Sequence, residues 1–386
     1  MNATTQILFA LLRGAICGTK LSDEEKGSFS RELLPALWDT AKKHDLDHLL
    51  AYGLKKNGLL TKEDADGEKS LFKAIYRYEQ TRYEYTLLCK TLEGAQIPFL
   101  PLKGSVLRGY YPEGWMRTSC DIDVLVRKEN LEEAIAYLAQ HLNYEEKERA
   151  THDVSLFSPR GIHVELHFDL VEEGRAMGAV AVLQKVWEDA TPKEGAVWFH
   201  KMSDPFFYFY HVAHMAKHFE TGGCGIRPFI DLWILDHLDH ADKAARDALL
   251  EQGGLKKFAE NARALSRVWM EGEAPDETLL WLQSYLLHGG VYGSSDNRVA
   301  LNQTKKGGRF GYLISRVFIP FARLKRWYPI LEKHPWLMPV MQVRRWFMLL
   351  KPDVAAMAKR ELATNSSLEK SKADQMKRFL DEIGLG

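Results

Sequence analysis

The sequence predicts an α/β (α+β) fold, a small mixed β-sheet flanked on both sides by helical regions. Three observations predict it. Apolar residues recur at three- and four-residue spacing through residues 1–94 and again beyond Glu172. Between those regions, short apolar or alternating runs replace the helical period. Turn residues punctuate those runs, among them Gly94, Gly104, Pro112 and the Ser158-Pro159-Arg160-Gly161 stretch.

In order along the chain, Ser22 ahead of Asp23-Glu24-Glu25 marks a helix start, with acids at the positive end of the dipole. In RELLPALWDTAKKHDLDHLLAYGLKK, Leu33, Leu37, Ala41, Leu46, Leu49 and Leu50 form an inward face. A long helix is predicted over 68–93. IPFLPL, within 96–102, reads as a buried strand entering a turn, followed by a short helix over 106–110. Residues 111–120 carry Pro112, Gly114 and Trp115 and read as a loop. DIDVLV reads as a strand, 129–141 as a helix, and 144–149, 154–157 and 162–170 as strands. Asp204-Pro205 pairs an N-cap with proline at the first helical position and opens a helix to about residue 218. A further helix is expected over 228–238. These elements group into four regions: 1–94 helical, 95–172 the core, 173–300 helical, and 301–386 basic, aromatic-rich and helical.

A chain of 386 residues, 46% apolar, can bury a substantial core. Its formal net charge is zero, which excludes a global attraction to nucleic acid or other polyanions. Locally the balance differs: residues 301–351 hold 11 Lys or Arg and one acid, Glu332. Pro320, Pro329, Pro335 and Pro339 exclude one continuous helix there. The segment suits an anionic polymer, a membrane surface, or a solvated basic face packing its aromatics inward. The four cysteines are scattered, with no CxxC pair, which argues against a disulfide framework and a zinc ribbon. No apolar stretch approaches the ~18 residues of a membrane span, and 7–12 is too short for a signal-peptide core. A soluble, cytoplasmic protein with reduced thiols is expected.

The chemistry-bearing residues cluster between 100 and 170. Side chains alternate faces along a strand, so Asp121 and Asp123 point the same way. In His163-Val164-Glu165-Leu166-His167, Glu165 shares a face with His163 and His167, opposite the apolar pair. Adjacent strands would bring the three carboxylates together, a donor set for Mg²⁺ (or Mn²⁺). Gly104 and Ser105 follow an apolar strand where backbone N–H groups and a hydroxyl can hold an anion, with Lys103, Arg108 and Arg117 as charge partners. Two cations so placed would bridge the attacking and leaving oxygens of a phosphoryl displacement.

LPLKGSVL, then RTSCDIDVLV, then HVELHFDL resemble the polymerase-β-like nucleotidyltransferase superfamily, and within it the bacterial family known as uncharacterised nucleotidyltransferase. The gap from Ser105 to Asp121 is longer than in most of the superfamily. Weaker likeness extends over roughly 30–240. The resemblance implies transfer of a nucleoside monophosphate from an NTP, ATP foremost, to an acceptor hydroxyl on a small molecule, protein or RNA, with release of pyrophosphate. It implies phosphate binding by Gly104 and Ser105, metal binding by Asp121 and Asp123, and Glu165 as the third carboxylate. Two rival classes stand beside it: a non-catalytic nucleotide-binding regulatory module, and a nucleic-acid-binding protein acting through 301–351.

Outside the core, His214 and His218 share a helix face and are candidate pocket residues, as are His163 and His167. Asp231, inside the apolar run PFIDLWIL, calls for a buried partner, expected to be a histidine or a helix start.

Overall fold

A computed structural model describes residues 2–61, 64–171, 177–220, 222–291, 293–348, 355–356, 358–359, 362–363, 365 and 370–386. The expected core boundary at 172 and the end of the basic segment, 349–351, lie outside the described residues. Strands β1 (Phe99–Pro101), β2 (Asp121–Val126), β3 (Glu145–Arg149), β4 (Asp153–Phe157) and β5 (His163–His167) form one mixed sheet in the order β1-β2-β5-β4-β3. β2 and β5 run parallel, and every other pairing is antiparallel.

Side-chain alternation gives this sheet two unlike faces. Ile122, Val124, Val154, Leu156, Val164 and Leu166 are buried on one of them. They pack on Leu88 and Leu92 of the helix Ala65–Gly94 and on Leu131, Ala134 and Leu138 of the helix Leu131–Leu142. Each such side chain contributes about 1.5–3 kcal/mol by leaving water. A one-residue slip would exchange that face for Asp121, Asp123, Glu165 and Asp153, so the pattern sets the register. The outer strand β3, Glu-Glu-Lys-Glu-Arg, is exposed throughout, and its charges protect the sheet edge from pairing with another chain.

A second, larger core joins the helices before and after the sheet. Phe9 of the helix Ala3–Cys17 stacks on Trp269 of the helix Lys256–Glu271, with ring centroids 4.4 Å apart. The predicted start at Ser22 is present as a capping box: Ser22 Oγ accepts from the Glu25 N–H and Glu25 accepts from the Ser22 N–H. The chain's last helix, Lys370–Ile383, returns to this core, where Phe379 lies between Trp281 and Tyr285.

The basic segment is broken as its prolines predict, into Gly308–Val317, Phe321–Trp327, Ile330–Lys333 and Met338–Phe347. It has a small core of its own, Ile319, Leu324, Leu331 and Met341. All four cysteines are free thiols. Among the described residues no helix is long and apolar enough to cross a membrane.

Two element boundaries shift in ways that matter for the site. The short helix begins at Lys103 rather than 106, so Lys103 and Gly104 form its first turn. β4 begins at Asp153, one residue earlier than its apolar run, because its pairing with β5 extends to Asp153 opposite His167.

Candidate active site

The parallel pairing of β2 and β5 sets Asp121 opposite His163 and Asp123 opposite Glu165. Alternation then gathers all three carboxylates on the polar face of the sheet, and β4 adds Asp153. Lys103 enters from the turn after β1. Its backbone is left-handed, φ 42°, a costly conformation for a residue with a side chain and one that recurs at functional turns. From there its Nζ lies 2.7 Å from Asp123 Oδ1 and 3.5 Å from Glu165 Oε2. His167 Nε2 is 3.0 Å from the same Asp123 oxygen and 3.3 Å from Glu165 Oε2.

These charges shape one another. Burial opposes ionisation of Asp123, but the Lys103 ammonium and His167 prevail and hold its carboxyl well below the usual range. Burial and Lys103 press His167 toward neutrality, and its hydrogen bonds to Asp123 and Glu165 outweigh them, so its pKa is raised. Among the described residues Asp121 has no such close partner. Burial, then the neighbouring Asp123 charge, pushes it up to about 6. Burial also raises Asp153.

The donor set fits a divalent cation. Asp121, His163 and Glu165 place ligand atoms within 4.8 Å of one another, and so do Asp123, Glu165 and His167. Glu165 belongs to both groups. His163 and His167, expected as pocket residues, do not line the adjoining cavity; they stand beside its carboxylates, among the candidate ligands.

The helix Asp204–Glu220 faces this cluster across a cavity of about 420 Å³, a size suited to a small ligand. It supplies Tyr210, His214, Lys217 and His218 to the wall. His214 and His218 bring Nε2 atoms within 3.0 Å of each other. Burial, the Lys103 charge and His218 together hold His214 well below its ordinary pKa. Burial and Lys103 bring Lys217 down to about 8.

The loop between β1 and β2 is bolted to the helical flank. Arg117 donates through Nε to both Asp231 oxygens, at 2.7 and 3.0 Å, and through an Nη to the Thr118 carbonyl. Tyr111 donates to Asp231 at 2.7 Å. Asp231 therefore does have a buried partner, but it is an arginine and a tyrosine rather than a histidine or a helix start. Arg227 donates to the Thr118 carbonyl of the same loop at 2.9 Å and to Asp45 at 2.6 Å.

The expected phosphate ligands divide. Lys103, Gly104 and Arg117 line the cavity, whereas Ser105 does not, and its buried hydroxyl has no hydrogen-bond partner among the described residues. A Cβ at Gly104 would lie 3.2 Å from the Ser119 Cβ, a tight contact that Ser119 would have to relieve by a few tenths of an ångström. Arg108 is engaged with the Gly104 carbonyl and Ser119, away from the cavity. Sequence reasoning missed Asp153 and His152, which also line the cavity. Alternation along β4 carried the signal, since Asp153, Ser155 and Phe157 share a face, but an apolar criterion began that strand at Val154.

The chain belongs to the family described as uncharacterised nucleotidyltransferase, which matches residues 32–271 and so takes in the sheet, the covering helix and the helices next to them. No curated protein and no solved structure matches it.

Proposed function

We propose that the protein transfers a nucleoside monophosphate from an NTP to an acceptor hydroxyl, releasing pyrophosphate, with a divalent cation bound by Asp121, Asp123 and Glu165 together with His163 and His167. The observation that carries this reading is the direct pairing of Asp123 with Glu165, which places both carboxylates and Asp121 on one face of the cavity. A cation held there would neutralise the triphosphate and favour ionisation of the acceptor hydroxyl. The carboxylates suit Mg²⁺ or Mn²⁺, and the imidazoles in both candidate groups are donors that Mg²⁺ seldom takes.

The chain's own residues account for the rest of the reaction. Lys103, at the floor, and Lys217, on the covering helix, present positive charge to the phosphates from two sides. Glu165, half-buried beside Lys103 and His167, is placed to take the acceptor proton. Arg117, locked by Asp231, holds the loop that carries Ser119 and Cys120 on the wall. Tyr210, His214 and His218 close the side opposite the sheet and limit water around the phosphates.

The test is thermal stability with ATP, GTP, CTP and UTP, each with and without Mg²⁺ or Mn²⁺, for the native chain and for Asp121→Ala/Asp123→Ala. A metal-dependent rise with a triphosphate that is absent in the double variant supports the assignment and names the donor. Equal rises in both proteins place the nucleotide elsewhere and refute it.

A further inference from the structure

Helices on a protein surface ordinarily turn their apolar stripe inward. Two helices of the basic segment turn an apolar stripe outward as well. In Gly308–Val317, Phe310, Leu313, Ile314 and Val317 repeat at the spacing of one helix face and all are exposed, while only Tyr312 is buried. In Met338–Phe347, Val340, Val343 and Phe347 continue a stripe begun one turn earlier by Trp336. Phe310 is 74% exposed, Trp336 73% and Phe347 65%. The two helices are joined at their ends, where Arg345 and Trp346 donate to the Val317 carbonyl. Trp327, Ile330 and Phe318 add exposed apolar surface between them. A patch so rich in aromatic and aliphatic side chains marks an interaction surface.

Its charge narrows the partner. Residues 305–348 hold 10 basic residues and one acid. A second copy of this chain using the same face would oppose like charges, which disfavours a symmetric dimer there. Nucleic acid would satisfy the cations and stack on Trp or Phe, but it offers nothing to Leu313, Ile314, Val340 and Val343. A lipid surface with anionic headgroups suits both: acyl chains for the stripes and headgroups for Lys and Arg. Each helix has 10 residues, far too short for the bilayer core, so it would lie in the interface.

We propose that residues 305–348 form a peripheral docking surface for anionic phospholipid, inserting Phe310, Trp336 and Phe347 at the level of the headgroups. This does not depend on the chemistry assigned to the cavity. The experiment is flotation of the full chain with vesicles of phosphatidylcholine alone or with about one-third phosphatidylglycerol. Two variants accompany it: Phe310→Ser/Trp336→Ser/Phe347→Ser, and Lys306→Glu/Arg323→Glu/Lys333→Glu. All six positions are exposed, and circular dichroism confirms that each variant is folded.

The expected result is binding to the anionic vesicles only, weakened by added salt and reduced about tenfold or more in each variant. Absence of binding at low salt overturns the proposal. So does binding that the serine variant leaves unchanged. A dimer, or a complex with single-stranded nucleic acid, that is lost in the serine variant while vesicles are ignored would reassign the surface and likewise overturn it.

Discussion

Asp123 and Glu165 sit opposite each other on the parallel strands β2 and β5, with the Lys103 ammonium 2.7 Å from the first and 3.5 Å from the second. One lysine thus neutralises two of the three carboxylates, in competition with any metal that they bind. Lys103→Met should separate the two effects. Removing one partner of a buried pair costs about 3 kcal/mol, so the chelator-treated variant should melt earlier than the native chain. The rise in melting temperature on adding Mn²⁺ should be larger, because no ammonium competes. A smaller metal response than in the native chain would show that Lys103 helps to hold the bound state instead.

Asp121 should behave in the opposite sense. Its folded carboxyl titrates at about 6 against an ordinary 3.8, so the folded chain holds this proton more tightly than the unfolded one. Ionisation therefore destabilises the fold. The penalty is absent below the ordinary value and complete above about 6. Asp121→Asn, with chelator present, should stabilise the protein by about 1–3 kcal/mol at neutral pH. The gain should vanish near pH 4, and Mn²⁺ binding should be lost. Urea unfolding at both pH values, with metal titration alongside, checks each part.

Lys217 offers a pH test of the proposed phosphate contact. Burial and the Lys103 charge bring it down to about 8, so it is charged below that pH and neutral above it. NTP affinity should fall as pH rises through about 8. Lys217→Met should bind about tenfold more weakly at pH 7, and its affinity should change little between pH 7 and 9. A pH profile unaltered by the substitution would remove Lys217 from the phosphate site.

Arg117 and Asp231 form a buried pair at 2.7 Å that joins the β1–β2 loop to the helix Arg227–Asp236. Lysine in place of Arg117 keeps the charge but loses the fork that serves Asp231 and the Thr118 carbonyl together. Arg117→Lys should cost about 2 kcal/mol in urea unfolding. It should weaken NTP binding as well, because Ser119 and Cys120 on the cavity wall move with that loop. Loss of stability with native nucleotide affinity would make the pair purely structural.

Much of this was legible in the chain. Ile122-Asp123-Val124 and Val164-Glu165-Leu166 alternate so regularly that one face had to be apolar and the other acidic. The proline and glycine positions marked where helices end. Local backbone sterics and periodicity govern such features, and both are written in consecutive residues. The partners of Asp231 were not legible, because Tyr111 and Arg117 lie more than a hundred residues away in sequence and meet it only when the helices pack.

By itself, then, the sequence determined the class of fold, the three carboxylates and the basic character of 301–351. Tertiary structure alone decided that Lys103 bridges Asp123 and Glu165, that Arg117 is held by Asp231, that Ser105 lies off the cavity wall, and that Phe310 and Trp336 face outward. Alternation and charge density are properties of neighbours along the chain. Ion pairing, burial and exposure depend on which distant surfaces exclude water from one another, and only the packed molecule settles that.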